Sequence, residues 1–370
     1  MFRKISIASA TLAALTAGVF FVACRSNTSP VSSGGSSGII GAGSTFIYPI
    51  MARWISSFQG AHQGVQINYQ SIGSGGGIQQ LKKGLIDFGA SDAALDDDQL
   101  KEMQPTLEIP ESAGPVCITY NLPELKNPLR LSADTLAGIF LGKINAWQDP
   151  EIKKDNPGEN LPSHPILVAH RSDGSGTSNI FTTYLAKVSR DWATKVGKGI
   201  SVSWPVGVGG KGSEGVTGIV RQSAGAIGYV ELNYAKENNL PVGLIRNRAG
   251  EWKEPSAAGT TAAIEGFRDE LAKDVRTSIV DPPASAKDAY PISGLTYLLV
   301  PKDAQDTAKR QKVKDFIQYV ITDGQSFADS LFYARLPSAL VEQDEKLLSE
   351  MTAAGQPLGG STNQGSSGKR

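Results

Sequence analysis

Three times along this chain a strand-like run gives way to small hydroxylated and glycine residues, and an amphipathic helical pattern follows at once. The turns read Gly41-Ala42-Gly43-Ser44-Thr45-Phe46, Ser71-Ile72-Gly73-Ser74-Gly75-Gly76-Gly77 and Arg171-Ser172-Asp173-Gly174-Ser175-Gly176-Thr177-Ser178. Alternating strands and helices are the pattern of an α/β protein. Strand signals stand at Val65-Gln66-Ile67-Asn68-Tyr69, 114–119, Ile166-Leu167-Val168-Ala169, Ala226-Ile227-Gly228-Tyr229-Val230 and 296–300. Ile47, Met51, Trp54, Ile55 and Phe58 recur at helical spacing after the first turn, and Ile180, Phe181, Tyr184, Leu185 and Val188 after the third. Such stripes are core faces, as is Val313, Phe316, Ile317 and Val320 near the C-terminus.

The turns themselves carry the chemistry. A helix start leaves backbone N–H groups without intrahelical acceptors at its positive end, and glycines let a ligand approach the backbone closely. Thr45, Ser74, Ser175 and Thr177 add hydroxyls, the amides of Phe46, Gly176 and Thr177 add neutral donors, and Arg171 adds a charged planar one. Together they suit one small oxyanion. Asp92, at the end of Ile86-Asp87-Phe88-Gly89-Ala90-Ser91-Asp92, supplies selectivity: an ionised carboxylate only accepts, so it admits an anion that keeps a proton and repels one that has none. Phosphate is of the first kind and sulfate of the second. Asp173, two residues past Arg171, is placed to fix the guanidinium plane. Each residue taken singly has a plainer reading as an N-cap, a turn or a surface pair. Their conjunction favours a binding site.

Composition limits the partners. The chain has 370 residues, with 36 Lys plus Arg against 36 Asp plus Glu, so no global basic field recruits nucleic acid. Its length suits roughly two globular domains. Arg3 and Lys4 precede an apolar stretch, residues 5–22, and Phe21-Val22-Ala23-Cys24 resembles a lipoprotein processing site. Residues 1–23 are therefore expected to be a signal peptide, with Cys24 lipidated and the protein exported. An uncleaved anchor is the alternative. Residues 24–38, rich in Ser and Gly, read as a flexible tether, and 355–370 as a disordered tail. Cys117 then has no disulfide partner, and its apolar neighbours suggest a buried strand.

Several strings in order resemble the extracytoplasmic phosphate-binding protein of phosphate-specific ABC transporters. They are 41–46, 72–77, 87–92, Leu141-Gly142-Lys143-Ile144-Asn145-Ala146-Trp147, 171–178 and Gly225-Ala226-Ile227-Gly228-Tyr229-Val230-Glu231, within a likeness running from about 41 to 340. The resemblance implies a two-lobed periplasmic-binding-protein fold (type II), with the lobes joined by a hinge and phosphate in the cleft. Lobe 1 would be 38–119 plus 295–354, and lobe 2 would be 120–294. It implies phosphate contacts at Thr45, Phe46, Ser74, Asp92, Arg171, Ser175, Gly176 and Thr177, with Asp173 orienting the arginine. The expected role is non-catalytic delivery of hydrogen phosphate to membrane permease subunits from a periplasmic or cell-surface position, without cofactor or metal. His170 stands where a second arginine is often found.

Other classes fare worse. Gly207-Val208-Gly209-Gly210-Lys211-Gly212, with Glu231 about 20 residues on, has a dinucleotide-binding spacing. Pro205 interrupts the preceding strand, however, and the resemblance makes this segment a loop of lobe 2. The only Gly-x-Ser-x-Gly, at 34–38, lies in the tether, where no nucleophile elbow forms. His62, His164 and His170 show no metal-ligand spacing. Asp96-Asp97-Asp98 reads as a helix cap rather than part of a two-metal phosphatase site.

Overall fold

The structure, a computed structural model, describes residues 38–358. The signal-peptide, Cys24 and most tether assignments therefore lie outside the described residues.

Eight strands form one sheet. In chain order they are β1 (Ile39–Gly43), β2 (Ile67–Ser71), β3 (Phe88–Ser91), β4 (Thr106–Tyr120), β5 (Leu167–Arg171), β6 (Val208–Gly210), β7 (Ala226–Glu231) and β8 (Ser293–Pro301). Their spatial order is β2-β1-β3-β8-β4-β7-β5-β6. At one end β2, β1 and β3 are mutually parallel, and at the other β7, β5 and β6 are. Between these groups β8 and the 15-residue β4 run antiparallel. β4 pairs with β8 along most of its length and with β7 from Val116 to Tyr120, so it belongs to both ends.

Helices follow the parallel strands as crossover connections require. α1 (Tyr48–Ala61) follows β1 and α2 (Ser74–Lys82) follows β2. α3 (Gly176–Val188) follows β5 and α4 (Gly212–Gln222) follows β6. The apolar stripes face inward. Ile50, Met51, Trp54 and Phe58 of α1 are buried, while Ile55 is only partly so. Ile180, Phe181, Tyr184 and Leu185 of α3 pack in the same core, Phe181 stacking on Tyr229 at 4.4 Å. Cys117 lies buried in β4 as a free thiol, and burial pushes its pKa far up, so it is an inert apolar filler. Among the described residues no helix is long and apolar enough to cross a membrane.

Two local readings need correction. Val208–Gly210 is a strand paired with β5, and an 11-residue helix follows, so 207–212 is a fourth strand–turn–helix passage and not a loop. Two strand residues out of three are glycines, which hides the strand from periodicity; its partner in the sheet supplies the ladder. The tail reading also changes at its start, residues 355–358, while 359–370 lie outside the described residues. Ala354 and Gly355 take φ of 48° and 73°, turning the chain so that Gln356–Pro357 pairs with Thr352–Ala353.

Candidate functional site

Parallel α/β sheets place ligands beyond the carboxyl ends of their strands. Here those ends deliver Ser44 and Thr45 after β1, Ser74 after β2, Asp92 after β3, Arg171 at the end of β5 and Ser213 after β6. The two parallel groups of strands thus face one another through their turns, and residues far apart in sequence touch.

Ser74 Oγ is the hub between them. It accepts from the Asp92 amide at 3.3 Å and from the Gly176 amide at 3.1 Å, the latter across 102 residues of chain. Thr177 Oγ1 donates to Asp92 Oδ2 at 3.4 Å, and Ser44 Oγ donates to Oδ1. Thr45 Oγ1 lies 2.9 Å from Ser213 Oγ and accepts from the Ser213 amide at 3.3 Å. The Gly75 amide donates to the Gly174 carbonyl at 2.9 Å.

The arginine is held as its spacing to Asp173 suggests. Nε and Nη2 donate to the two oxygens of Asp173 at 2.8 and 2.6 Å, a bidentate fork. Asp173 Oδ1 also accepts from the Gly212 amide at 3.0 Å, which anchors the carboxylate to the start of α4. Nη1 is left to point at Thr177 Oγ1, 3.4 Å away and itself beside Asp92, and Nη2 keeps its second N–H. Tyr229 completes the frame: its hydroxyl accepts from the Arg171 amide at 3.1 Å and lies 2.6 Å from Ser178 Oγ.

Burial sets the electrostatics. Thr45, Phe46, Ser74, Asp92, Arg171, Ser175 and Thr177 are all buried. Burial pushes Asp92 up to about 6, while Ser44, the Arg171 charge, Thr296 and Thr177 pull it down. Burial also opposes the Arg171 charge, yet the Asp173 hydrogen bond and charge outweigh it and leave the pKa raised. Asp173 feels the reverse: burial raises it, and Arg171 brings it below its ordinary value.

Three of the four helix starts at the site are uncapped by side chains. α1, α2 and α4 have no side-chain cap, and only α3 has one, Ser175 accepting from the Ser178 amide at 3.0 Å. As an acceptor there, Ser175 keeps its own O–H free to donate. The Thr177 amide, in the first turn of α3, has no intrahelical acceptor. Two glycines make the approach possible. Gly73 takes φ of 86°, and a Cβ there would lie 2.3 Å from Asp173 Oδ2; a Cβ at Gly176 would lie 2.6 Å from Asp92 Cβ.

These bonds draw Ser74, Asp92, Arg171, Asp173, Gly176 and Thr177 into one cluster, with Thr45 tied in beside it through Ser213; Phe46 and Ser175 lie buried next to Thr45 and Gly176 in the chain, and Cys24 lies outside the described residues. Four contributors were missed. Ser44 sat unremarked inside its turn, and Ser213 and Gly212 open the fourth passage, whose grammar matches the first three. Tyr229 gives no local signal, because its role follows from the pairing of β7 with β4 and β5. His170 stands apart, stacked on Trp204 at 4.9 Å. Glu231 is fully buried, accepting from the Asn233 amide at 2.9 Å at the start of the next helix. Among the described residues no group of three or more His, Cys, Asp or Glu side chains is arranged to hold a metal ion. Chemically, the cluster offers many donors and one acid without a basic partner, which fits a small anion carrying a proton.

Residues 28–324 match the PBP superfamily domain. The chain is 45% identical over 308 residues to the phosphate-binding protein PstS of Xylella fastidiosa, covering 83% of this chain and 84% of that protein. Its identity to the PstS of Pasteurella multocida is 42%, covering 82% and 88%, and to that of Methanocaldococcus jannaschii 39%, covering 76% and 78%. Among solved structures it is similar to a high-affinity periplasmic phosphate-binding protein bound with phosphate. There the TM-score is 0.65 at 21% identity, over 84% of this chain and 93% of the other. A human phosphate binding apolipoprotein gives 0.66 at 21%, over 83% and 93%. At these identities the structural likeness is one of fold.

Proposed function

This chain belongs to the PBP superfamily and, within it, to the phosphate-binding PstS proteins, and from that membership we propose that it captures inorganic phosphate for an ABC-type permease. It has the two-lobed α/β architecture of that superfamily. The work is binding and delivery outside the cytoplasm, without bond making or breaking, and Cys24 is the point of lipid attachment. The lobes are 38–119 with 295–354 and 120–294; the central position of β4, which pairs with β8 on one side and with β7 on the other, supports that division.

One observation carries the reading: Ser74, Asp92, Arg171 and Thr177, from three separate strand ends, converge in a single buried cluster. Thr45, Phe46, Ser74, Arg171, Ser175, Gly176 and Thr177 donate to the phosphate oxygens, and Asp173 holds the arginine. Asp92 accepts the proton of hydrogen phosphate. Against an anion without that proton it leaves two acceptors facing each other, at a cost of at least ~1–3 kcal/mol. Sites built on such a hydrogen bond discriminate by about 10⁴ to 10⁵.

Calorimetric titration of one purified sample with phosphate, sulfate and a nucleotide tests the proposal. Phosphate alone should bind tightly; equal affinity for sulfate, or preference for the nucleotide, refutes it. Incubation with p-nitrophenyl phosphate should release no product.

A further inference from the structure

A second buried carboxyl lies behind the first. β4 and β8 keep a constant register as far as the pair Thr296–Ser112, but Tyr297 pairs with Pro110. Glu111 is thus the extra residue of a β-bulge, a device that re-aims a side chain beside a functional site. Its side chain is completely buried. Oε1 lies 3.0 Å from Thr296 Oγ1, while Oε2 has no hydrogen-bond partner. β8 pairs with β3 at Tyr297–Ser91, so Thr296 and Asp92 are the next residues along the same two strands, and the Thr296 hydroxyl is among the groups that lower the Asp92 pKa. One hydroxyl therefore stands between two carboxyls, and it has a single proton to give.

The surroundings favour a neutral Glu111. Burial pushes its carboxyl up to about 8 against the pull of Thr296, and the Asp92 charge adds to the rise. The titratable groups that act on it are Asp92, after β3, and the Tyr69 phenol of β2, which Glu111 and Asp92 both hold above its ordinary value after burial has done so. Gln325 reaches Glu111 only at its backbone carbonyl, 2.9 Å from Nε2. No cation among the described residues pairs with the side chain.

We infer that Glu111 is a positioning residue for Asp92: as a neutral acid it donates to Thr296 Oγ1, so that Thr296 turns its only proton to Asp92 and leaves the free acceptor of Asp92 for the ligand. This inference rests on the phosphate-binding reading above. When Glu111 gives its proton to solvent, Thr296 reverses and donates to Glu111. Asp92 then loses a donor and gains a like-charged neighbour, and the anion is held more weakly.

The test is phosphate affinity of wild type, Glu111→Gln and Thr296→Val across about pH 6 to about pH 9.5. Glutamine is neutral at every pH and donates to Thr296 as the acid does. The ratio of wild-type to Glu111→Gln dissociation constants cancels the ligand's own titration. That ratio should rise by about tenfold between neutral and alkaline pH, the effect of one pKa unit of coupling. A ratio independent of pH overturns the inference. Thr296→Val removes the relay and should weaken phosphate binding at neutral pH; unchanged affinity overturns it as well. Asp344, Glu108 and Glu231 are buried acids raised as well, so the infrared readout is the difference between wild type and Glu111→Gln: it should show a carboxylic acid carbonyl band at neutral pH that disappears at alkaline pH. A spectrum without such a band refutes the neutral acid. A wild type that binds no phosphate at any pH instead defeats the function proposed above.

Discussion

Gly176→Ala tests whether closeness of the two groups of turns is what makes the site. Gly176 opens α3 with an ordinary φ, so alanine imposes no backbone strain there, and the cost is purely contact. The new Cβ would sit 2.6 Å from Asp92 Cβ, 2.6 Å from the Asp92 amide nitrogen and 2.6 Å from Ser74 Oγ. Two of these atoms belong to backbone or to its first side-chain carbon, so no rotamer change relieves them. Forcing a methyl into such a place costs ~1–3 kcal/mol. At ~1.4 kcal/mol per tenfold, phosphate affinity should fall between ~5- and ~150-fold. The Gly176–Ser74 hydrogen bond lies at the point of conflict, which favours the upper part of that range. Alanine is also the better helix residue, by up to ~1 kcal/mol. If the turns meet only around the ligand, melting of the ligand-free protein is unchanged or raised while affinity drops; if they are packed together always, both fall. Titration calorimetry and thermal unfolding read the two quantities separately. Affinity within twofold of wild type refutes the reasoning.

Three further outcomes are expected. Arg171→Ala leaves Asp173 without its bidentate partner and should weaken phosphate binding at least tenfold, which an unchanged dissociation constant contradicts. Asp92→Ala should mainly loosen discrimination, improving sulfate relative to phosphate by two orders of magnitude or more; wild-type selectivity in competitive titration would remove Asp92 from its role. Asp344 is completely buried, neither carboxyl oxygen has a partner, and burial pushes its pKa to about 9. The folded state therefore holds a proton that the unfolded state releases above its ordinary value of 3.8, so stability is lost as pH rises from there towards about 9. Asp344→Asn should remove that dependence, its stability gain over wild type growing by more than ~2 kcal/mol between about pH 5 and about pH 8 in denaturant titrations. Parallel curves for the two proteins would show that Asp344 titrates normally.

Much of the site was legible in the sequence because its parts are local. Turning a strand into a helix through Gly, Ser and Thr exposes amides at the helix start whatever the rest of the chain does. An Arg-x-Asp pair can close its fork within three residues, and Arg171 and Asp173 do so. The fourth passage was lost because its strand is three residues with two glycines, too short to carry a period, and because its glycine spacing fitted another motif.

The α/β grammar and the kind of group each turn presents are written in the residues alone, since both follow from backbone geometry and nearest neighbours. The tertiary structure alone decided which of these groups meet. Thr45 reaches Ser213 across 168 residues, Tyr333 holds the Phe46 carbonyl across 287, and Glu111 faces Thr296 because one residue too many stands in β4. Such encounters are set by strand order and register, which depend on the packing of the whole core and leave no mark at the positions they join.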